Sequence, residues 1–412
     1  MGPIVPQSFR MIPHYWPGMT LLKRYILIFL LSLVWLPSAS QLHAQIETEA
    51  EYAILLDVET QTVLFEKKAD ELMQPASMSK LMTLAVVFDA IEQGKITLQS
   101  EMPVSEFAWR TGGAPSGTSA MFAPLNTNIT VQDLLQGVII QSGNDACIIL
   151  AEGLAGSEQA FAQMMTEHAR KLGLKKSTFA NSTGLPHPNQ LMTSRELAFL
   201  ALHLITHYPQ HYPYFQQREF PYRRHKFYNR NPLIAANIGA DGLKTGFTEE
   251  SGYGLVGSAV QDGRRLIVVV NGLKTDKARR EEAVKLLNWG FRSFEKVTLF
   301  KADETVGEAL VWGGEKWYVP LRGKGDLQLL LPKNIKQRKL RGQLTYPGPV
   351  IAPVNAGDRI GELRVRTEEG IESSAPLYAA EPVAKAGIVR QGISSAFVLA
   401  FGWLLHHGSD EE

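Results

Sequence analysis

Pro75-Ala76-Ser77-Met78-Ser79-Lys80 opens the stretch that decides the fold: from Lys80 to Gln93 the residues are mostly apolar, and Gly94 closes the run as a C-cap. The pattern predicts a helix over Lys80 to Gln93. Upstream, Tyr52 to Thr60 and Gln61 to Lys68 are apolar, β-prone runs around Asp57 to Thr62, which predicts an opening hairpin. Downstream, Thr130 with Asp133 forms a capping signal ahead of Leu134 to Ile140, and Asp145 to Leu154 and Gln159 to Leu172 continue in helical style. From Gly242 the pattern turns to strand: Leu243 to Thr245, Tyr253 to Val260, an Asp262-Gly263 turn and Leu266 to Val270. Asp276 to Glu295 reads as a closing helix. Strands at both ends with helices between them predict an α+β domain, one antiparallel sheet covered by helices.

Beyond Glu295 the character changes. Short β-prone runs at Ala309 to Trp312, Trp317 to Leu321, Leu327 to Leu331, Leu340 to Tyr346 and Ile360 to Val365 are punctuated by Pro332, Pro347, Pro349 and Pro353. They predict a small all-β domain with no chemical constellation, read as a spacer or docking module. At the end, Arg390, Gln391, Ser394 and Ser395 share one face of a helix drawn over Gly387 to Leu405, opposite Ile388, Val389 and Ile393. The segment after them is apolar nearly all round, so an amphipathic helix lying in one leaflet, with Trp403 at the interface, is expected.

The other terminus sets the compartment. Lys23 and Arg24 precede the apolar run Tyr25 to Leu36, followed by Pro37 and the small residues Ser38, Ala39 and Ser40. Basic region, apolar core and cleavage zone in that order predict an export signal, and the run is shorter than the ~20 residues of a membrane span. The start is Met1 or Met19, and the mature chain is expected to begin near Gln45. The expected organisation is leader 1–44, catalytic domain 45–295, β domain 296–383 and tail 384–412.

Composition narrows the function. In 412 residues, Lys+Arg 42 against Asp+Glu 41 leaves a net charge of +1, so no chain-wide field steers polyanions and nucleic-acid binding is disfavoured. A hydrophobic content of 45% with 20% charged residues is that of a folded chain. The single cysteine, Cys147, permits neither an intrachain disulfide nor a cysteine-based zinc cluster.

Ser77-Met78-Ser79-Lys80 has the form Ser-x-x-Lys at a helix start, where i and i+3 side chains meet. Alone it is weak, since roughly one or two such tetrads occur by chance in a chain this long, and Ser293-Phe294-Glu295-Lys296 also fits. Ser142-Gly143-Asn144 is a second short match, on a break between helices. Lys244-Thr245-Gly246 is rarer, expected about 0.1 times by chance. Their joint occurrence in order carries the argument: Ser-x-x-Lys opening a helix, Ser-x-Asn in an interhelical loop, Lys-Thr-Gly ending a strand.

With these motifs the sequence resembles the active-site serine penicillin-recognising enzymes, and among them the low-molecular-mass penicillin-binding proteins that act as D-alanyl-D-alanine carboxypeptidases. Gln141 to Cys147, Asp241 to Gly246 and Asn288-Trp289-Gly290-Phe291-Arg292 look like longer family stretches, as do the β domain and the tail. The resemblance implies a β-lactamase/transpeptidase-like catalytic domain with no cofactor or metal. It implies Ser77 as nucleophile, Lys80 as its base and Ser142 as a proton relay, with Asn144 holding Lys80 and the substrate amide. Lys244, Thr245 and Gly246 are similar to the segment that meets the substrate's terminal carboxylate, with Arg230 and Arg279 as further candidates. The backbone amides of Ser77 and Phe247 match the family's oxyanion hole, although many relatives carry His where Phe247 stands. The implied substrate is a peptidoglycan stem peptide ending in D-Ala-D-Ala, with β-lactams as inhibitors.

The residues make chemical sense independently. A serine hydroxyl needs an adjacent base, yet a lysine at its reference pKa of about 10.4 is protonated at neutral pH. Lys80 must therefore be tuned, and partial burial together with the like charge of Lys244 would lower its pKa.

Other matches have plainer readings. Gly252-Tyr253-Gly254-Leu255-Val256-Gly257 fits a dinucleotide fingerprint but leads into strand-like sequence with no helix after it. His203 and His207 lack the glutamate of His-Glu-x-x-His. Asn128-Ile129-Thr130 and Asn181-Ser182-Thr183 are sequons only in a pathway that glycosylates, and Cys147 reads as a small buried residue. The competing functions are a class A β-lactamase, whose Glu-x-x-Leu-Asn segment is absent between Asn144 and Lys244, a murein DD-endopeptidase, and an idle wall-binding scaffold.

Overall fold

The computed structural model describes residues 46–333, 341–366 and 372–388. The expected leader and nearly all of the expected amphipathic tail lie outside the described residues.

An opening hairpin, β1 (Tyr52–Asp57) and β2 (Val63–Lys67), joins a closing meander of β3 (Ala240–Thr248), β4 (Gly252–Gln261) and β5 (Arg264–Leu273). The five strands form one antiparallel sheet in the order β2-β1-β5-β4-β3. Between its two halves the chain runs through α1 (Lys80–Glu92), α2 (Glu106–Gly112), α3 (Val131–Gln136), α4 (Asn144–Ala155), α5 (Glu158–Lys171) and α6 (Ser194–His207); α7 (Asp276–Ser293) follows the sheet. As expected, Thr130 caps α3 by accepting the Asp133 amide, and the Asp262-Gly263 turn has positive φ at both residues, the geometry that matches strand twist in a tight hairpin.

Both faces of the sheet are covered, so its strands read as continuous apolar runs. In β1, Ile54 and Leu56 belong to the cluster that includes Leu81, Leu84 and Phe88 of α1. Leu55 points the other way, against Gly290 of α7, where a Cβ would approach its side chain to 2.7 Å. Helix α1 is buried at every residue from Lys80 to Phe88. It therefore stands in the middle of the helical layer, and the turn that leads into it, Ala76–Ser79, meets the edge strand β3.

Phe294 begins a second, all-β region, where the sequence pattern predicts the last helical residues. Its ring meets Trp289 edge-on at 5.0 Å, which anchors β6 (Phe294–Phe300) to the end of α7. The region continues with β7 (Gly307–Trp312), β8 (Tyr318–Arg322), β9 (Leu327–Pro332), β10 (Arg341–Thr345), β11 (Val350–Ile351), β12 (Arg359–Arg366) and β13 (Glu372–Ala379). β6 pairs with β9, and the others form a sheet ordered β10-β12-β13-β8-β7-β11. Its core is aliphatic, built on Val319, Leu321, Leu329, Leu331, Leu363 and Leu377. The two regions touch where Thr62 Oγ1 lies 2.8 Å from Ser373 Oγ and where Lys296 pairs with Glu59.

The Gly252 to Gly257 segment is strand β4, followed by a turn and another strand. No helix of the described residues is long and apolar enough to cross a membrane.

Candidate active site

Ser77 sits on a single helical turn, Ala76–Ser79, that runs directly into α1. The i, i+3 spacing brings Lys80 Nζ to 2.9 Å from Ser77 Oγ. Two further groups hold the amine: it donates to Asn144 Oδ1 at 2.8 Å and to the Thr183 carbonyl oxygen. Lys80 has no exposed surface and no carboxylate among these hydrogen-bond partners. Burial lowers its pKa to about 8, with the Arg230 cation acting in the same direction. The repulsion expected between the two lysines falls on Lys244, which burial first and Lys80 second hold well below the usual range.

A wider helical turn, Gly137–Gln141, extends α3, and Ser142 occupies the break between it and α4 in the left-handed region, φ 61 and ψ 32, and is buried. Asn144 opens α4; its Nδ2 donates to Thr118 Oγ1 at 2.9 Å and its backbone N–H to the Ser119 carbonyl at 2.7 Å. Ser119 Oγ accepts from Arg230 Nη1 at 2.6 Å, which places Arg230 at the exposed rim of the same corner. Cys147, one turn into α4, is buried and pushed up to about 12 by that burial, so it stays a neutral thiol.

The Lys-Thr-Gly segment lies inside β3, not at its end, since pairing with β4 continues to Thr248. Gly246 has a specific reason to be glycine. A Cβ there would stand 2.9 Å from the Pro75 carbonyl and 3.1 Å from the Met78 side chain, so only glycine lets the edge strand approach the Ser77 turn. Gly184, at φ +79, crowds the turn from the other side, where a Cβ would lie 2.1 Å from the Ala76 carbonyl. Lys244 Nζ donates to the Thr245 carbonyl at 3.1 Å, and Thr245 is buried. Arg279 comes from α7; it pairs with Asp276, and its Nη1 reaches 3.5 Å from the Gly246 carbonyl. The ring of Phe247 is half exposed.

The structure thus joins Ser77, Lys80 and Asn144 by direct hydrogen bonds, with Ser142 two residues from Asn144 and Thr245, Gly246 and Phe247 on the strand facing the Ser77 turn. Arg230 lies at its exposed rim and Arg279 is buried beside β3, each bonded to other protein groups. The sequence reading missed the loop between α5 and α6. Gln190, buried in that loop, donates from Nε2 to Ser79 Oγ at 3.1 Å and accepts from the Ala180 and Asn181 amides at 2.7 and 3.2 Å. Asn181 Oδ1 accepts from the Gly184 amide at 2.7 Å and its Nδ2 donates to the Leu185 carbonyl at 3.0 Å. Glu158 holds Ser182 through its amide and hydroxyl. The sequon reading of Asn181 was the only signal on this segment, and it pointed elsewhere: the amide is a loop staple.

Residues 38–275 match the family model described as D-alanyl-D-alanine carboxypeptidase, and residues 294–385 match the C-terminal domain of penicillin-binding protein 5. The chain is 41% identical over 338 residues to the D-alanyl-D-alanine carboxypeptidase DacC of Escherichia coli (strain K12), covering 81% of this chain and 84% of the relative. It is 31% identical to DacF of Bacillus subtilis (strain 168), also named a D-alanyl-D-alanine carboxypeptidase, covering 88% of this chain and 95% of the relative. Among solved structures, penicillin-binding protein 5 from Haemophilus influenzae aligns with a TM-score of 0.71 at 34% identity, over 83% of this chain and 99% of that one. The ampicillin-bound penicillin-binding protein D2 from Listeria monocytogenes aligns at 0.55 and 29% identity, over 60% of this chain and 100% of that one. The chain belongs to the D-alanyl-D-alanine carboxypeptidase family of serine-type hydrolases.

Proposed function

We propose that this chain removes the terminal D-alanine from peptidoglycan stem peptides through an acyl-enzyme on Ser77. The observation that carries the reading is the environment of Lys80 Nζ. Two of its three partners, Asn144 Oδ1 and the Thr183 carbonyl, can only accept. A neutral amine spends both its hydrogens on them and turns its lone pair to the Ser77 hydroxyl. With its pKa lowered to about 8, a useful fraction of Lys80 is neutral near physiological pH.

Lys80 takes the Ser77 proton as Oγ attacks the carbonyl carbon of the penultimate D-alanine. The oxyanion is held by the Ser77 and Phe247 amides, each such donor contributing about 3 kcal/mol in the transition state. Ser142 passes a proton to the departing amine, the C–N bond breaks and D-alanine leaves. Asn144 fixes the Lys80 amine and the substrate amide. Lys244 supplies positive charge and Thr245 a hydroxyl to the terminal carboxylate, with Arg279 adding charge beside the strand and Arg230 at the rim. Water then attacks the ester and returns Ser77. A β-lactam carbonyl takes the same path, but its amine stays tethered and the adduct persists.

The relatives and structures named above are carboxypeptidases and penicillin-binding proteins, and one carries ampicillin. They favour carboxypeptidase action over the β-lactamase and endopeptidase alternatives. The reading extends to an exported chain with leader 1–44, catalytic domain 45–295 and β domain 296–383. The tail 384–412 would hold it at the periplasmic face of the inner membrane, where it trims the wall during its synthesis and helps set cell shape. Release of D-alanine from a diacetylated L-Lys-D-Ala-D-Ala tripeptide tests the central step: the Ser77→Ala protein loses it, and release at the parental rate would overturn the assignment.

A further inference from the structure

Phe247 follows Lys-Thr-Gly directly, and 48% of its surface is exposed. The ring is nonetheless fixed: it packs on Tyr253, its cross-strand partner in β4, with centroids 4.2 Å apart. Tyr253 lies in turn under the Arg279 guanidinium, 5.5 Å from the ring centroid. Alternation along β3 puts Thr245 and Phe247 on one side of the strand and Gly246, which meets the Ser77 turn, on the other. Arg279 Nη1, 3.5 Å from the Gly246 carbonyl, reaches the strand between them. One side of β3 therefore presents a hydroxyl, then a cation, then two rings packed together at an interplanar angle of 32°.

We propose that Phe247 and Tyr253 form an apolar shelf for the side chain of the departing D-amino acid, so that this chain releases bulky apolar C-terminal D-residues at least as well as D-alanine. The inference rests on the placement of the carboxylate at Thr245 and Arg279 proposed above. With the carboxylate held there, the α-carbon of the leaving residue is one bond away. The large side chain next along the strand is Phe247. A methyl group covers little of the ring, whereas an isobutyl group removes more apolar surface from water on both partners. A cationic side chain in the same place is repelled by Arg279, whose guanidinium already lies over the Tyr253 ring.

Diacetylated L-Lys-D-Ala-X tripeptides with X as D-Ala, D-Leu or D-Lys test this through ratios of kcat/KM within each protein. The parent is expected to process D-Leu at or above D-Ala and well above D-Lys. In Phe247→Ala the D-Leu to D-Ala ratio falls about three- to tenfold, and Phe247→Leu keeps most of it. A ratio unchanged in Phe247→Ala, or a parent that handles D-Lys as well as D-Leu, overturns the shelf. Thr245→Val and Arg279→Gln, measured on D-Ala-D-Ala alone, report separately on the carboxylate site: unchanged KM in both removes that placement and the shelf with it, while raised KM together with an unchanged Phe247→Ala ratio removes the shelf alone.

Discussion

The sheet-and-helix region and the all-β region bury different things. In the first, Lys80, Lys244, Asn144, Asp145, Glu196 and Arg279 are all buried, most of them within reach of Ser77 or its supports. In the second, the core is aliphatic, and Ser373 is the only buried polar side chain among the described residues. Burying a lysine costs free energy that an apolar core never incurs. The cost has a direction: a lysine whose folded pKa is lowered to about 8 from 10.5 penalises the fold below about pH 8, and the penalty fades as pH rises from 8 to 10.5. On the proposed mechanism one region accepts that loss to make a base of Lys80, and the aliphatic core of the other carries no such cost.

Substitutions in each region should break or sharpen the contrast. Lys80→Met fills the same space without the amine and is expected to lower kcat/KM for tripeptide hydrolysis roughly 10³-fold while leaving the protein folded by circular dichroism. Leu329→Ala, at a fully buried position of β9, should cost about 2–5 kcal/mol in denaturant unfolding. Acylation of the remaining folded protein by benzylpenicillin should be unchanged, and a matching loss of acylation rate would show that the two cores are not separate in purpose. The acylation rate should fall about tenfold per pH unit below the Lys80 pKa of about 8 and level off above it. A flat profile from pH 6 to 9 would remove Lys80 as the base. The smallest effect is expected at the junction: Ser373→Ala deletes one partner of Thr62, which keeps Thr60, so about 1 kcal/mol of stability is lost. A change in kcat/KM beyond about twofold would instead reveal coupling between the regions.

Local patterns account for what was legible beforehand. The α1 start, the Thr130 cap, the Asp262-Gly263 turn and the strand carrying Lys244 all rest on signals within a few residues, and each is where the pattern placed it. The order of three short motifs sufficed to bring Ser77, Lys80 and Asn144 together. What escaped depends on contacts distant in sequence. Gln190 reaches Ser79, and the Thr183 carbonyl reaches Lys80, across a loop whose residues look like ordinary turn residues. β6 was hidden because Phe294-Glu295 continues the helical pattern of α7, which ends where Phe294 packs on Trp289 and pairs with Pro332 of β9. β13 was hidden by Ser373, Ser374 and Pro376, which are poor strand formers in isolation.

The claim that Ser77 is the nucleophile in a lysine-activated frame is tested most directly by intact mass after incubation with benzylpenicillin, for the parent and Ser77→Ala side by side. The account predicts a slowly reversed adduct on the parent, mapped to the peptide containing Ser77, and none on the variant. An adduct of equal extent on Ser77→Ala, or a parent that neither holds the drug nor is acylated by it, would contradict it.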